Sequence, residues 1–349
     1  MDLNRIVGSI VSLVIFTGIA FYGLVVFWPQ PHRPEPVKIE VSQGASLLEI
    51  AQTLQSKKII DGVKPFIMAA QLMGYEKSIR AGVFLVTDVT SNFRIIHQLV
   101  NSRPVVHRIT IPEGLRMEQI GDIVQKELGT EFDEFLNLCR NRRFIRSLGL
   151  DVPSLEGFLT PETYHFNEGE SARNVISTMV DQYHQLFDDS LMTRARELGL
   201  THLEVLTLAS IIEGEAIHDS ERFIISAVFH NRLRKGMKLQ ADPTIQYIID
   251  DGPRRLLKKD LESESPYNTY LNPGLPPGPI NCPGKESILA ALYPANEDYL
   301  YFVATGNGYH TFTKTEKEHR NAKRNFQDHR RQVWRERRQR AAEKVEVNP

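Results

Sequence analysis

Two glutamates lie near the end of a predicted helix that is otherwise apolar. Residues 206–216 read LTLASIIEGEA, and at about 100° per residue Glu215 falls at the edge of an apolar stripe, while Glu213 points to the flank. The stripe is formed by Val205, Leu208, Ala209, Ile211 and Ile212. A carboxyl group held against apolar neighbours is hard to ionise, so its pKa rises toward the range that a general acid needs at neutral pH, as in glycosidases. The alternative is a glutamate on the helix flank that reaches solvent or pairs with Arg222.

Four loops downstream of Glu215 carry the residue types from which sugar-binding sites are built. They are rich in Pro and Gly and comprise residues 239–246 (LQADPTIQ), 265–270 (SPYNTY), 274–284 (GLPPGPINCPG) and 308–312 (GYHTF). Aromatic rings stack on the apolar faces of pyranoses, and amides bond to sugar hydroxyls. Taken singly, a tyrosine here is typical of packing, and Asp242 before Pro243 is typical of a helix cap. Taken together, the loops supply candidates for substrate contacts or for the orientation of Glu215, namely Gln240, Asp242, Thr244, Tyr267, Asn268, Tyr270 and His310.

A polar loop precedes the Glu215 helix. Residues 155–166 read LEGFLTPETYHF, in which Gly157 and Pro161 interrupt a mostly helical region. Loops of this kind commonly carry functional residues, and Glu156 is a candidate for a supporting or substrate-binding role.

The bulk composition excludes several classes of function. The chain has 349 residues and a net charge of −1, which gives no reason to expect nucleic acid as a partner. Its two cysteines, Cys139 and Cys282, form no CxxC, so neither a disulfide framework nor a zinc ribbon is implied. Two Glu-x-x-His pairs, at 162–165 and 215–218, have the spacing of di-iron ligands, but the first follows a proline in a loop and no HExxH occurs. The sequence therefore predicts no metal and no cofactor.

The elements that must position these residues begin with an apolar N-terminal segment. Residues 6–28 contain no charge, which matches the roughly 20 apolar residues of a bilayer span. Phe27 and Trp28 at its far end suit the membrane interface. A cleaved signal peptide is the alternative, but the apolar run is longer than a signal's hydrophobic region and the tract PQPHRPEP follows it. We expect a short cytoplasmic N-terminus (1–5), one transmembrane helix (6–28), a Pro-rich linker (29–37) and a large domain beyond the membrane.

Residues 38–130 are predicted to form a small α+β module. A strand, a glycine turn, a serine N-cap and an amphipathic helix follow one another at 41–54, and residues 111–124 repeat the arrangement. The pattern resembles LysM-like glycan-binding modules, the alternative being ordinary capped helices. Residues 131–325 are predicted to be a mixed helical and β catalytic domain and 326–349 a basic tail. The expected fold class is therefore α+β, with one N-terminal transmembrane helix.

Eight ordered motifs carry a resemblance that covers the whole chain. They are EGFLTPETY, LASIIEGEA, LQADPT, YNTY, GLPPGPI, ALYPA, YLYFVA and GYHTF, and they resemble the endolytic murein transglycosylase family, also called MltG or YceG-like. The resemblance implies cleavage of the β-1,4 bond between N-acetylmuramic acid and N-acetylglucosamine in nascent peptidoglycan, leaving a 1,6-anhydromuramic end. It also implies that the catalytic residue is the second glutamate of the ExE pair, here Glu215. Glu213 is then a supporting residue or a lesser candidate for the acid. The sequence departs from the family pattern at Thr160, Glu162, Gly214 and Cys282.

A lytic enzyme of this kind needs one carboxyl group, whereas a hydrolase needs two. Protonated Glu215 would give its proton to the leaving oxygen and then take one from the muramoyl C6 hydroxyl, which closes on C1. The resemblance further implies peptidoglycan strands as substrate, a single-pass place in the cytoplasmic (inner) membrane with the catalytic domain outside the cytoplasm, and peptidoglycan synthases as partners. The alternative, from a different class, is a catalytically silent scaffold that binds glycan and recruits synthases.

Overall fold

The chain forms two compact units in this computed structural model. The model describes residues 3–30, 36–42, 44–87, 90–102, 106–250, 252–328 and 330–331. The N-terminal unit comprises Met1–Ile109, Val124–Thr130 and Tyr164–Ser171. The C-terminal unit comprises Thr110–Ile123, Glu131–Thr163 and Ala172–Pro349. Helices are combined with short two-stranded sheets throughout, so the expected mixture of helix and strand is confirmed.

One helix of the N-terminal unit is apolar along nearly its whole length. Helix α1 (Leu3–Val26) contains the stretch Val7–Val26, which is long and apolar enough to cross a membrane and is the one such stretch among the described residues. Most of its large apolar side chains are exposed. Val25 and Val26, at its end, are instead buried in the core of the N-terminal unit.

The rest of the N-terminal unit is built around a β-α-α-β arrangement. Its elements are β1 (Val37–Val41), α2 (Leu47–Ser56), α3 (Val63–Leu72), β2 (Gly82–Val86) and the following helix α4 (Asn92–Asn101). Strands β1 and β2 pair antiparallel along their whole length. Ser46 caps α2 in a capping box with Glu49, as the sequence predicts, and Ser91 caps α4 in the same manner without a capping box. These caps set the direction in which each helix leaves its turn.

Two predicted segments fall partly outside the described residues. Of the linker expected at 29–37, residues 31–35 lie outside them, and of the tail expected at 326–349, residue 329 and all residues beyond 331 do so as well. Residues 316–328 are helical. The limits of the linker and of the tail therefore stay predictions.

The C-terminal unit is mainly helical. Its elements are α6 (Phe132–Arg140), α7 (Arg142–Ser147), α8 (Ala172–Leu186), α9 (Asp189–Glu197), α10 (His202–Glu215), α11 (Asp219–Arg234), α12 (Asp242–Ile248), α13 (Lys285–Leu292), β5 (Tyr301–Ala304) and β6 (His310–Thr313). Strands β5 and β6 form an antiparallel hairpin. Three further elements contain residues of both units, namely β3 (Val106–Thr110), α5 (Met117–Leu128) and β4 (Thr163–Asn167).

Helix α10 is the central element of the C-terminal unit. The residues of the predicted apolar stripe are buried, but so are Leu206, Thr207 and Ser210, which lie outside it. Burial extends round the helix because α11, α12 and α13 all pack against it. The buried hydroxyls are satisfied within the helix, since Thr207 and Ser210 each donate to a backbone carbonyl of the preceding turn. The helix therefore holds its last residue, Glu215, on a well-packed support.

Candidate active site

Glu215 is half-buried at the end of α10, where its side chain lines a cavity. Burial is the main cause that raises the pKa of its carboxyl to about 8, and the charge of Asp242 acts in the same direction. The Asp242 backbone N–H and the Arg232 guanidinium lower that pKa and are outweighed. The shift has the direction that the sequence context predicts. At neutral pH Glu215 is mostly protonated and can act as a proton donor.

Asp242 approaches Glu215 from the start of α12. It is the first residue of that helix, and the Tyr270 hydroxyl donates a hydrogen bond of 2.5 Å to its Oδ1 atom. Gly214 makes the close approach possible, because a Cβ atom at that position would lie only 2.6 Å from the Cβ of Pro243. This departure from the family pattern therefore lets the first turn of α12 pack directly against the last turn of α10.

Two cavities of the C-terminal unit meet at Glu215 and Asp242, which line both. The first cavity has a volume of about 670 Å³ and the second about 370 Å³. The first is also lined by Gly114, Leu115, Arg116, Glu118, Gln119, Gly214, Pro243, Gln246, Gly252, Pro253, Ile280 and Asn281. The second is also lined by Arg232, Leu239, Gln240, Tyr270, Phe302, Val303, Ala304, His310, His319, Lys323 and Phe326. Amide, guanidinium and aromatic groups of this kind bind the hydroxyls and ring faces of sugars.

The loop at 274–284 is tied to α10 one turn before Glu215. The Ile280 N–H donates to the Ser210 hydroxyl at 3.0 Å, and the Asn281 side-chain N–H donates to the Ser210 carbonyl at 2.9 Å. The other side-chain atom of Asn281, Oδ1, is buried and has no hydrogen-bond partner among the described residues. Asn281 also lines the first cavity, although this oxygen itself is enclosed by the protein. Sequence reasoning missed Asn281, although it directly follows the GLPPGPI motif.

Four of the predicted site residues line the second cavity together with Glu215, namely Gln240, Asp242, Tyr270 and His310. Gln240 has a φ angle of 50°, a left-handed conformation that is uncommon outside glycine and often occurs at functional sites. His310 is held by Glu221, which accepts its backbone N–H at 2.9 Å and lies 2.8 Å from its Nδ1 atom. Glu221 fixes the ring but was not predicted, because nothing in its own segment signals a partner so far along the chain.

Three other predicted residues, Thr244, Tyr267 and Asn268, are not among the residues that line the two cavities. The buried Thr244 hydroxyl lies 2.9 Å from the Thr269 hydroxyl. The buried Asn268 amide bonds to three backbone groups of its own loop. The Tyr267 ring packs on Tyr247, with 4.9 Å between the centroids. These residues support the shape of the loops, and we retain them as supporting residues.

Glu213 is also away from both cavities. Its carboxylate pairs with Arg222 at 3.0 Å and accepts the Gly284 N–H at 3.1 Å. The side chains of Glu213 and Arg222 are each only 8% exposed. Arg222, considered from the sequence as a partner for Glu215, is therefore engaged by Glu213. The pairing favours the supporting role predicted for Glu213, which stays a prediction.

Glu156 is a second carboxyl group with a strongly shifted pKa, but it too is not among the cavity-lining residues. It is buried, and it accepts the backbone N–H of Met117, at the start of α5, at 3.1 Å. Burial raises its pKa to about 8. Its buried position favours a supporting role over a substrate-binding one, and that role stays a prediction.

We expect the free energy of unfolding to fall as the pH rises from about 5 to about 8, in part because of Glu156. Its folded-state pKa lies near 8, above the ordinary 4.5, so its contribution is fully present below 4.5 and is lost as the pH rises through 8. Glu156→Gln should flatten the decline by up to about 1.4 kcal/mol per pH unit. Denaturant unfolding at several pH values measures the slope, with Glu134→Gln, at an exposed position of α6, as the control. An unchanged slope in Glu156→Gln would contradict the prediction.

The described residues offer acid–base chemistry without a metal site. Among them, no group of three or more His, Cys, Asp or Glu side chains is placed to hold a metal ion. Cys139 and Cys282 are both free and buried. The groups available to a ligand in the two cavities are therefore carboxyls, amides, guanidinium groups and aromatic rings.

The site belongs to a recognisable class. One carboxyl group of raised pKa where two polar and aromatic cavities meet is typical of enzymes that cleave glycosidic bonds by general acid catalysis. The family model described as the YceG-like family matches residues 39–325, and this chain belongs to that family. The resemblance drawn from the eight motifs is therefore confirmed.

Known relatives cover most of the chain. An endolytic murein transglycosylase of Bacillus subtilis is 34% identical over 330 residues, which cover 90% of this chain and 91% of the relative. An endolytic murein transglycosylase of Streptococcus pneumoniae is 28% identical over 303 residues, which cover 77% of this chain and 54% of the relative, so the match spans about half of that protein. The 2.6 Å crystal structure of a YceG-like protein from Listeria monocytogenes has 32% identity and a TM-score of 0.57, covering 82% of this chain and 98% of that one.

Proposed function

We propose that this chain is a membrane-anchored lytic transglycosylase that cleaves the bond between N-acetylmuramic acid and N-acetylglucosamine in peptidoglycan. The observation that carries the proposal is Glu215, a carboxyl group with a pKa near 8 at the junction of two cavities that suit sugars. Relatives named endolytic murein transglycosylases support the substrate and the lyase reaction.

Glu215 supplies both proton transfers of the proposed reaction. As the neutral acid it donates a proton to the glycosidic oxygen while the bond to C1 of N-acetylmuramic acid breaks. As the resulting carboxylate it takes the proton of the C6 hydroxyl, and the C6 oxygen bonds to C1. The products are a free hydroxyl on one strand and a 1,6-anhydro ring on the other, and no water is consumed.

Asp242 is the second carboxyl group of the site and has a different role in the proposal. Positive charge develops at C1 and on the ring oxygen in the transition state. The Asp242 carboxylate, oriented by the Tyr270 hydroxyl, can stabilise that charge and also keeps the proton on Glu215. A hydrolase would instead use Asp242 to activate a water molecule, so the products distinguish the two reactions.

The two cavities support cleavage within a strand. A glycan whose scissile bond lies at Glu215 has space for sugar residues in the first cavity and in the second, because Glu215 and Asp242 line both. Gln246 and Asn281 line the first cavity, and Gln240 and His310 line the second, so both cavities offer polar residues to the sugars. An enzyme that acts only on strand ends needs a site closed on one side, and this geometry favours internal cleavage.

The N-terminal unit serves as anchor and glycan-binding module in the proposal. Val7–Val26 would cross the cytoplasmic membrane, with both units outside the cytoplasm. The β-α-α-β arrangement supports the LysM-like interpretation. Between β1 and α2 lies a cavity of about 400 Å³ whose lining includes Ser42, Glu49 and Thr53, which could hold a sugar. Action on nascent strands would place the chain beside peptidoglycan synthases, the proposed protein partners.

Mass spectrometry of the products from uncrosslinked glycan strands tests the proposal. Incubation with the full chain in detergent should release fragments that are lighter by one water than hydrolysis products, and internal fragments should appear early. Full-mass reducing ends would mean hydrolysis with Asp242 as the second carboxyl group. No products would favour the silent scaffold.

We expect kcat/KM to fall as the pH rises through about 8, because the reaction needs protonated Glu215. Asp242→Asn removes a carboxylate that raises the pKa of Glu215, so the alkaline limb of the profile should move to lower pH. Rates measured from pH 5 to pH 9 give the position of the limb, whatever the change in maximal rate. Glu118→Gln removes a carboxyl group from the first cavity and should leave the limb in place. A limb that stays in place in Asp242→Asn would refute the assigned coupling.

A further inference from the structure

The end of helix α1 is part of the core of the N-terminal unit. Val25 is 6% and Val26 is 1% exposed, and both belong to the same apolar cluster as Phe66 of α3 and Ile95 of α4. Large apolar side chains earlier in α1 are mostly exposed, with Phe16 at 70%. The helix therefore changes from an exposed apolar rod to a packed core element within one turn.

Hydrogen bonds beyond the helix end hold the chain against the unit. The fully buried Asn92 donates from Nδ2 to the Val25 carbonyl at 3.0 Å, and its Oδ1 accepts from the Gln30 side chain at 2.9 Å. Gln30 in turn accepts the backbone N–H of Asp61 at 2.9 Å, and Pro29 forms a β-bridge with Ser91. A buried amide satisfied in this way orients its partners strongly. Residues 26–30 are therefore held against the N-terminal unit and do not act as a flexible linker after the anchor helix.

An aromatic cluster lies beside this junction. The Phe27 and Phe93 rings stack with 5.4 Å between their centroids. Phe27 is 56% exposed, Trp28 39% and Phe93 37%. Phe93 belongs to α4, and its stacking on Phe27 places it beside the first residues that follow the apolar stretch of α1. Exposed aromatic rings at this level are typical of the membrane–water interface.

We propose that the N-terminal unit lies in the headgroup layer of the bilayer and contacts lipid through Phe27, Trp28 and Phe93. The inference rests on the proposed membrane anchor. A stretch of 20 residues, Val7–Val26, is about 30 Å long, which equals the hydrocarbon thickness of a bilayer. Its end must then lie at the hydrocarbon boundary. Because that end is packed into the unit, the residues around it lie in the headgroup layer.

Lipid is the expected partner of the aromatic cluster, because the cluster is continuous with the apolar surface of α1. Phe27 directly follows the apolar stretch, and Phe93 stacks on it, so lipid that surrounds the end of α1 also reaches Phe93. The contact therefore ties the N-terminal unit to the bilayer surface at the end of the span.

Site-directed fluorescence in vesicles tests the inference with the full chain. Cys139 and Cys282 are both 0% exposed, so a maleimide dye should label an introduced cysteine selectively, and the unsubstituted chain controls for this. The dye is placed singly at Tyr22, Phe93 or Gln52 in vesicles of phosphatidylcholine and phosphatidylglycerol. Tyr22 reports the anchor, and Gln52, exposed on α2, is the control. Lipids with a doxyl quencher near the headgroup are then introduced.

We expect the dye at Phe93 to lose most of its fluorescence, as the dye at Tyr22 does, while the dye at Gln52 keeps it. Quenching at Tyr22 with none at Phe93 would overturn the inference and leave the anchor intact. No quenching at Tyr22 would refute the anchor, and the inference with it. A dye at Phe93 that is shielded equally in detergent and lipid but is not quenched would mean that a second copy covers the cluster. His97→Cys, next to Phe93, repeats the test if Phe93→Cys does not fold.

Discussion

Glu215→Gln is expected to reduce the formation of anhydro ends by about 10³-fold, with little change in binding of the strand. Glutamine has the shape of glutamic acid but no proton to give, so the leaving oxygen departs unprotonated. Among the residues that the structure describes, Glu215 has no ion-pair partner that the substitution would remove, and burial already keeps its carboxyl largely neutral. The fold should therefore persist. The measurement is the initial rate of anhydro-end formation by mass spectrometry, beside a glycan pull-down for binding.

Glu118→Gln is the matched control for this substitution. Glu118 lines the first cavity as Glu215 does, but its side chain is 42% exposed and pairs with Arg140. We expect a loss of a few-fold at most. Equal losses in the two variants would mean that the cavity needs negative charge and not a proton donor. Full activity in Glu215→Gln would leave the reaction without its assigned acid, and glycan binding without activity in the unsubstituted chain would favour the scaffold.

The position of Glu215 could be predicted because its signals are local. A long apolar helix with a carboxyl group at its end requires only the spacing of residues 206–216. The serine caps of α2 and α4 are local in the same sense, since Ser46 and Ser91 bond to backbone groups three residues away. Such features depend only on residues that are close in sequence, so they are present in the folded structure as predicted.

The candidate partners of Glu215 could be named from the sequence, but the residues that line its cavities could not be distinguished from those that only stabilise a loop. Asp242 and Tyr270 were both candidates, but their hydrogen bond joins residues 28 positions apart and depends on how two loops fold. Asn268 was an equal candidate, and it is used to hold its own loop together. Asn281 was missed, because its bond to the Ser210 carbonyl and its place in the first cavity follow from tertiary packing. A polar residue type indicates a capacity to bond, and the tertiary contacts decide what it bonds to.

Glu213→Ala is expected to lower the free energy of unfolding of the C-terminal unit by about 3 kcal/mol. The substitution leaves the Arg222 guanidinium buried beside an empty space, since both side chains are only 8% exposed. It also removes the acceptor of the Gly284 N–H. The loss should lie at the lower end for buried pairs, because Asp219 remains at 3.0 Å from Arg222. Denaturant unfolding followed by circular dichroism measures the change.

The comparison of Glu213→Ala with an exposed pair separates burial from charge. Glu316 and Arg320 form an ion pair at 3.0 Å, and their side chains are about two-thirds exposed. Glu316→Ala should therefore lower the free energy of unfolding by less than about 0.5 kcal/mol. Below its unfolding transition, Glu213→Ala should keep most of its turnover, because Glu213 is not among the residues that line the two cavities with Glu215. Unchanged stability together with lost turnover would reverse the assignment and make Glu213 the acid. Two glutamates separated by one residue thus have opposite expected signatures, one in rate and one in stability, because the helix end directs one toward a cavity and the other toward a buried guanidinium.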